Sequence, residues 1–151
     1  MKIRAMTVTQ KGNYWYGSCD SDICAEVTRF SRKNAYEAQR FQQSVCGCGS
    51  VVFRLLSDDA EGVAKRLCVE CAAEAFIGDG VEYADDAVLE EHGCVCQDDR
   101  FAINCGVALY EGSNDVRWLY IGCRCRTCGL IGVFAHWKCE GGDADVYLSR
   151  V

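Results

Sequence analysis

The sequence predicts a small β-rich fold of tandem β-hairpin modules with two short helices, and three observations carry that expectation. Closely spaced cysteine pairs occur twice in the same order: Cys46-Gly47-Cys48 then Cys68-Val69-Glu70-Cys71, and Cys94-Val95-Cys96 then Cys125-Arg126-Thr127-Cys128. The segment between each early and late pair is strand-like and broken by turn residues at its middle. The chain has no proline, so its turns fall to Gly, Asn and Asp. These residues cluster at Lys11-Gly12-Asn13, Ser57-Asp58-Asp59, Gly112-Ser113-Asn114-Asp115 and Gly141-Gly142-Asp143.

Taken in order, Ile3 to Thr9 and Tyr14 to Gly17 read as an N-terminal hairpin. Asn34 and Glu37 have the spacing of a capping box, which predicts a helix over Ala35 to Gln43. Val51 to Leu56 is an apolar run that turns at Asp58 to Gly62 and returns through Val63 to Leu67. Asp85 or Asp86 is placed to cap a second helix over Ala87 to His92. Phe101, Ile103, Cys105, Val107 and Leu109 alternate with smaller or polar neighbours, the period-2 mark of a strand, and Val116 to Gly122 is its return. Gly129 to Ala135 is an apolar run of strand length only.

A repeat is expected when Cys24, Cys71 and Cys128 are used as anchors, because Phe30, Ile77 and Phe134 each follow six residues later. It divides the chain into an N-terminal hairpin module over 1–33 without a complete metal set, a first zinc-ribbon module over 34–83 and a second over 84–151. With no Pro-rich or Ser-rich linker between them, the three are expected to pack as one body.

The cysteine spacing is the chemistry. Zn–S bonds are about 2.3 Å, so four sulfurs must converge within a few ångströms, and a CxC or CxxC knuckle supplies two from one tight turn. A hairpin between two knuckles carries the chain out and back, as in zinc ribbons and rubredoxin-like folds. Cys46, Cys48, Cys68 and Cys71 are the candidate ligands of one Zn²⁺, and Cys94, Cys96, Cys125 and Cys128 of a second. Gly49 and Gly129, each just after a knuckle, suit the positive φ such turns need. Cys123 is an alternative to Cys125, and His92 a substitute ligand, although a helix-end role is preferred for His92. His136 is expected at a surface strand end or turn. Cys105 and Cys123 are equidistant from the turn at 112–115 and are expected to meet across their hairpin as buried core thiols. Cys19 and Cys24 make a metal site only if Cys139 or another residue joins them.

Thirteen cysteines in 151 residues would also suit a secreted disulfide scaffold. Met1 to Tyr16 lacks a continuous apolar segment and does not resemble a signal peptide. No apolar run approaches the roughly 18 residues of a membrane span. A reducing, cytoplasmic setting with cysteines committed to metal is therefore the expectation. The formal net charge is −6, and two zinc tetrathiolates would take it to about −10. That sign opposes general attraction to phosphate backbones and favours a basic partner.

Among function classes, catalysis has the least support. Both cysteine sets are saturated by sulfur, whereas a catalytic zinc keeps an open position. No HExxH, GxGxxG, P-loop or GxSxG motif is present. The preferred expectation is a zinc-binding, non-catalytic protein that presents an acidic surface to a protein partner, as an adaptor or antitoxin. The alternative is a nucleic-acid-binding zinc ribbon using Arg117, Trp118, Tyr120, Arg124 and Arg126, where cations alternate with aromatics.

Three stretches carry a resemblance: Cys68 to Cys71 with Phe76-Ile77-Gly78-Asp79 and Glu82-Tyr83, then Val116 to Gly122, then Cys128 to Lys138. Over residues 44 to 138 the chain resembles a group of bacterial cysteine-rich proteins with tandem zinc-ribbon-like modules and no established activity. The resemblance implies a bacterial, cytoplasmic, zinc-binding protein and no particular mechanism.

Overall fold

The computed structural model describes residues 8–151. Ten antiparallel strands form one open sheet: β1 (Val8–Lys11), β2 (Tyr14–Gly17), β3 (Arg40–Gln43), β4 (Phe53–Asp58), β5 (Val63–Cys68), β6 (Glu74–Phe76), β7 (Glu90–Glu91), β8 (Phe101–Leu109), β9 (Val116–Cys125) and β10 (Leu130–Lys138). Three helices accompany them: α1 (Asp22–Lys33), α2 (Gly80–Tyr83) and α3 (Ala144–Leu148). The strand order is β1-β2-β10-β9-β8-β4-β5-β6, with β3 beside β8 and β7 beside β4. The β-rich fold class expected from the sequence is the one observed.

Three expected hairpins are formed. β4 and β5 pair from Phe53↔Cys68 to Asp58↔Val63, β8 and β9 from Phe101↔Cys125 to Leu109↔Val116, and β1 and β2 from Val8↔Gly17 to Lys11↔Tyr14. The earlier part of the N-terminal expectation, Ile3 to Thr7, lies outside the described residues.

The helices fall elsewhere than expected. Asn34 does not open a helix but closes α1, and Ala35 follows at φ 69°. Glu37 accepts from Arg32 Nε at 2.8 Å, and Asn34 Nδ2 donates to the Tyr120 hydroxyl at 2.9 Å, so neither residue caps residues 35–43. The second half of that stretch is β3, paired with β8 from Arg40↔Val107 to Gln43↔Asn104. Residues 87–92 are likewise not helical. A 3₁₀ turn ends at Asp86, and β7 pairs with the end of β4.

The helix that does form early, α1, buries Ile23, Glu26, Val27 and Ser31, a 3.6-residue stripe. Asp22 in its first turn and Arg32 and Lys33 in its last complement the helix dipole. Asp22 Oδ2 also accepts from the backbone N–H of Ser18 and of Cys19. The segment from Cys24 to Phe30 is therefore helix, not a copy of the strands that follow Cys71 and Cys128.

β4 joins β8 only at Phe53↔Phe101. Beyond that bridge β8 turns to β3 and β4 turns to β7. The sheet folds at this seam, and its two wings enclose the main core. Phe53, Leu55 and Ala64 come from one wing, and Phe101, Ile103, Val107, Leu119 and Ile121 from the other. Tyr147 and Leu148 of α3 join the same core. The β4–β5 turn reaches β10, where the backbone N–H of His136 donates to Asp59 Oδ2 at 3.3 Å. On the opposite face of β8–β9–β10, α1 covers a second core around Ile23, Val27, Tyr120 and Ile131. There Gly122 allows close packing, since a Cβ on it would lie 2.5 Å from Ile23 Cγ2 and 2.6 Å from Val27 Cγ2.

Candidate metal centres

Four turns hold the eight paired cysteines, and they are built alike. In the CxC knuckles, the Gly49 N–H donates to the Cys46 carbonyl at 2.8 Å and the Gln97 N–H to the Cys94 carbonyl at 2.9 Å. In the CxxC knuckles, the Ala72 N–H donates to the Cys68 carbonyl at 3.0 Å and the Gly129 N–H to the Cys125 carbonyl at 3.1 Å. The residue after each second cysteine has positive φ: Gly49 at 92°, Ala72 at 65°, Gln97 at 76° and Gly129 at 80°. The two glycines were legible in the sequence; Ala72 and Gln97, held in the same conformation without being glycine, were not.

These turns bring the sulfurs together. Within each of the sets Cys46, Cys48, Cys68, Cys71 and Cys94, Cys96, Cys125, Cys128, all four sulfurs lie within 4.8 Å of one another. Sulfur–sulfur separations are 3.5 Å for Cys46–Cys71, 3.7 Å for Cys48–Cys68, 3.5 Å for Cys94–Cys128 and 3.5 Å for Cys96–Cys125. A tetrahedron with metal–sulfur bonds of about 2.3 Å has an edge of about 3.8 Å. A disulfide would need about 2.05 Å. Each cluster has the donor number, donor type and spacing to hold a metal ion.

The thiols of each cluster are shifted in both directions: neighbouring thiols and burial hold Cys48 and Cys71 up, and burial above all holds Cys94 and Cys128 up. Backbone N–H groups draw three others down. The N–H of Cys48 lowers the Cys46 thiol, and the N–H of Asp98 lowers Cys96. The N–H groups of Cys71 and Glu70 bring Cys68 down to about 6. The thiolate is the metal-binding form, so N–H groups aimed at sulfur favour it.

Cys68, Phe53, Phe101 and Cys125 are successive cross-strand partners on β5, β4, β8 and β9. The centres thus sit at the two ends of one row across the seam, three strand spacings or about 14 Å apart. Phe53 and Phe101, both fully buried, fill the row between them.

The second centre has extra fastening. Asp98 accepts from Arg100 Nε at 3.0 Å and from the Thr127 hydroxyl, which ties the CxC knuckle to the CxxC knuckle. Those donors hold its carboxyl well below the ordinary range. β2 lies alongside, with the Gly17 N–H donating to the Gly129 carbonyl at 2.8 Å and Tyr16 opposite Leu130. Arg124 Nε donates to the Gly17 carbonyl, and Arg124 and Arg126 both pair with Asp20.

The other candidates lie apart from both clusters. Cys123 is in the main core, its neighbour Cys125 in the cluster. Cys105 and Cys123 are diagonal neighbours, since Ile103 is opposite Cys123 and Cys105 opposite Ile121. Both are fully buried, and burial drives the Cys105 thiol up to about 12 and Cys123 well above its ordinary value. Cys139 is also buried, its sulfur 3.6 Å from the Tyr147 hydroxyl. Cys19 lies in the loop before α1, 3.0 Å from the Ser21 hydroxyl, and Cys24 lies in α1.

Neither histidine is where it was expected. His92 follows β7, half-buried, with Nε2 2.6 Å from the Ser57 hydroxyl. Ser57 donates its one proton to Asp59 Oδ1, so His92 is the donor to Ser57. His136 lies within β10, where Nδ1 accepts from Trp118 Nε1 at 3.0 Å.

Trp118 stacks on Tyr36, and Tyr120 is fully buried with its hydroxyl donating to the Tyr36 carbonyl. Arg117 lies over the Tyr36 and Tyr110 rings. With Arg124 and Arg126 turned to Asp20, these five residues do not form one exposed face. No helix among the described residues is long and apolar enough to cross a membrane. No family model, curated protein or solved structure matches this chain.

Proposed function

We propose that the protein binds two Zn²⁺ as structural ions and works without catalysis, presenting an acidic surface to a basic protein partner. The observation that carries the reading is the convergence of eight cysteine sulfurs into two sets at tetrahedral-edge spacing. Four thiolates suit zinc and fill its coordination sphere, leaving no position for a substrate. Binding of about 10–16 kcal/mol per structural zinc, as in finger peptides, would dominate the folding energy of so small a sheet.

The acidic face has its own support. Pairing of β7 with β4, and the Val88 N–H donating to Asp58 Oδ2 at 2.9 Å, lay residues 82–91 beside the β4–β5 turn. Glu82, Asp85, Asp86 and Glu90 thereby join Asp59 and Glu61, all exposed. None of the ion pairs among the described residues uses Glu61, Glu82, Asp85, Asp86 or Glu90. Unneutralised charge of one sign steers a partner of the other.

Native mass spectrometry of protein purified under reducing conditions, with elemental analysis, is the test of the metal. Two zincs per chain are expected; intramolecular disulfides in their place would sink the reading. For the surface, binding of a lysine-rich peptide should weaken with salt and fail in the Asp85→Lys, Asp86→Lys double variant. Equal binding by parent and variant would remove the acidic face from the account.

A further inference from the structure

The two centres are alike in ligands and unlike in what surrounds them. Ser50 and Glu70 of the first correspond in sequence to Asp98 and Thr127 of the second. Asp98 and Thr127 are hydrogen-bonded and lock their two knuckles together. The Ser50 hydroxyl instead accepts from the Val52 N–H within its own turn, and among the described residues no hydrogen bond joins Ser50 to Glu70. Each centre has an exposed ligand from its CxC knuckle, Cys48 in the first and Cys96 in the second; from the CxxC knuckle Cys71 is exposed and Cys128 half-buried. A depression of about 540 Å³ opens on Cys48 and Cys71, lined also by Ser50, Val51, Val52 and Glu70. The second centre carries β2 along its flank, held by the Gly17–Gly129 bond and by Arg124. Charge points the same way. A zinc tetrathiolate is doubly negative; the first CxxC knuckle adds the carboxylate of Glu70 where the second has neutral Thr127, and the second adds the cation of Arg126 where the first has apolar Val69.

We propose that the first centre, Cys46/Cys48/Cys68/Cys71, is an exchangeable zinc site open to small thiols and chelators, while the second, Cys94/Cys96/Cys125/Cys128, retains its ion as a permanent support. The inference rests on the zinc reading above. An incoming ligand reaches the metal through the depression beside Cys48 and Cys71, displaces one thiolate at a time, and meets no interlocking hydrogen bond between the knuckles. Zinc availability then sets the order of the β4–β5 hairpin without dissolving the β8–β9 hairpin.

The test is chelation of the zinc-loaded full chain by excess EDTA with pulsed N-ethylmaleimide labelling and mass mapping of each cysteine. Native mass spectrometry of the starting material counts the zinc. Cys46 to Cys71 should label first, and one zinc should leave about tenfold or more faster than the other, the rate effect of losing one charge-assisted hydrogen bond. Tyr16→Ala, which strips cover from the second centre, should speed the slow phase and leave the fast one in place. If both centres hold zinc and label at one rate, or the second opens first, the inference fails and the zinc reading stands. A chain without zinc overturns both.

Discussion

Ala72 and Gln97 occupy a left-handed conformation that the other two knuckles give to Gly49 and Gly129. For a residue with a Cβ this conformation costs about 1–2 kcal/mol, and replacement by glycine returns part of that to unfolded-chain entropy. Ala72→Gly and Gln97→Gly should each stabilise the zinc-loaded protein by about 0.5–1 kcal/mol in urea denaturation. Gly49→Ala is the converse test. No atom lies within 4 Å of the position its Cβ would take, so its loss of stability reports the backbone alone. His92 gives a pH test. Burial lowers its pKa in the folded protein, whereas the unfolded chain takes up the proton near about pH 6.5. The unfolded state therefore binds more protons as pH falls through that value. Stability is lost from about 6.5 downward until the folded imidazole also protonates. His92→Gln, which can still donate to Ser57, should flatten the urea midpoint over this window relative to the parent.

At the level of elements, α1 rests on β9 where Gly122 leaves room for it. Gly122→Ala would drive a methyl into Ile23, Val27 and the Asn104 carbonyl, and should cost about 2–3 kcal/mol. In a Val27→Ala background the same change should cost less, a non-additivity measurable by a double-mutant cycle. This contact was not legible in the sequence, because the cysteine register competed with the helical pattern. Ile23, Val27 and Phe30 have helical spacing, but Cys24 to Phe30 also matched Cys71 to Ile77, and the match suggested a strand. The Asn34–Glu37 signature failed for a different reason. A capping box is a local preference of about 1 kcal/mol, and it gave way to four residues of pairing between β3 and β8. The hairpins were legible because alternation and turn residues agree over their whole length. The seam at Phe53 and Phe101 was not, since one bridge between distant strands leaves no period in the chain.

For the molecule as a whole, that seam is where the wings, the main core and the row between the centres meet. Phe101→Ala removes a fully buried ring that also packs edge-on against Phe134 at 4.9 Å, and should cost about 3–5 kcal/mol. Its effect should be shared with Phe53→Ala, so that the double variant loses less than the sum when unfolding is followed by near-ultraviolet circular dichroism. Phe53 and Phe101 stand at the same place in their ribbons, five residues after Cys48 and Cys96, and they are paired with each other. Counterparts that face each other across antiparallel strands straddle a local two-fold axis, and the flanking pairs Gln43↔Asn104 and Glu91↔Leu56 are related by the same axis. Each ribbon therefore faces the other as one subunit of an isologous dimer faces its mate, and the chain carries inside itself an interface that a single ribbon would have to find in a second copy.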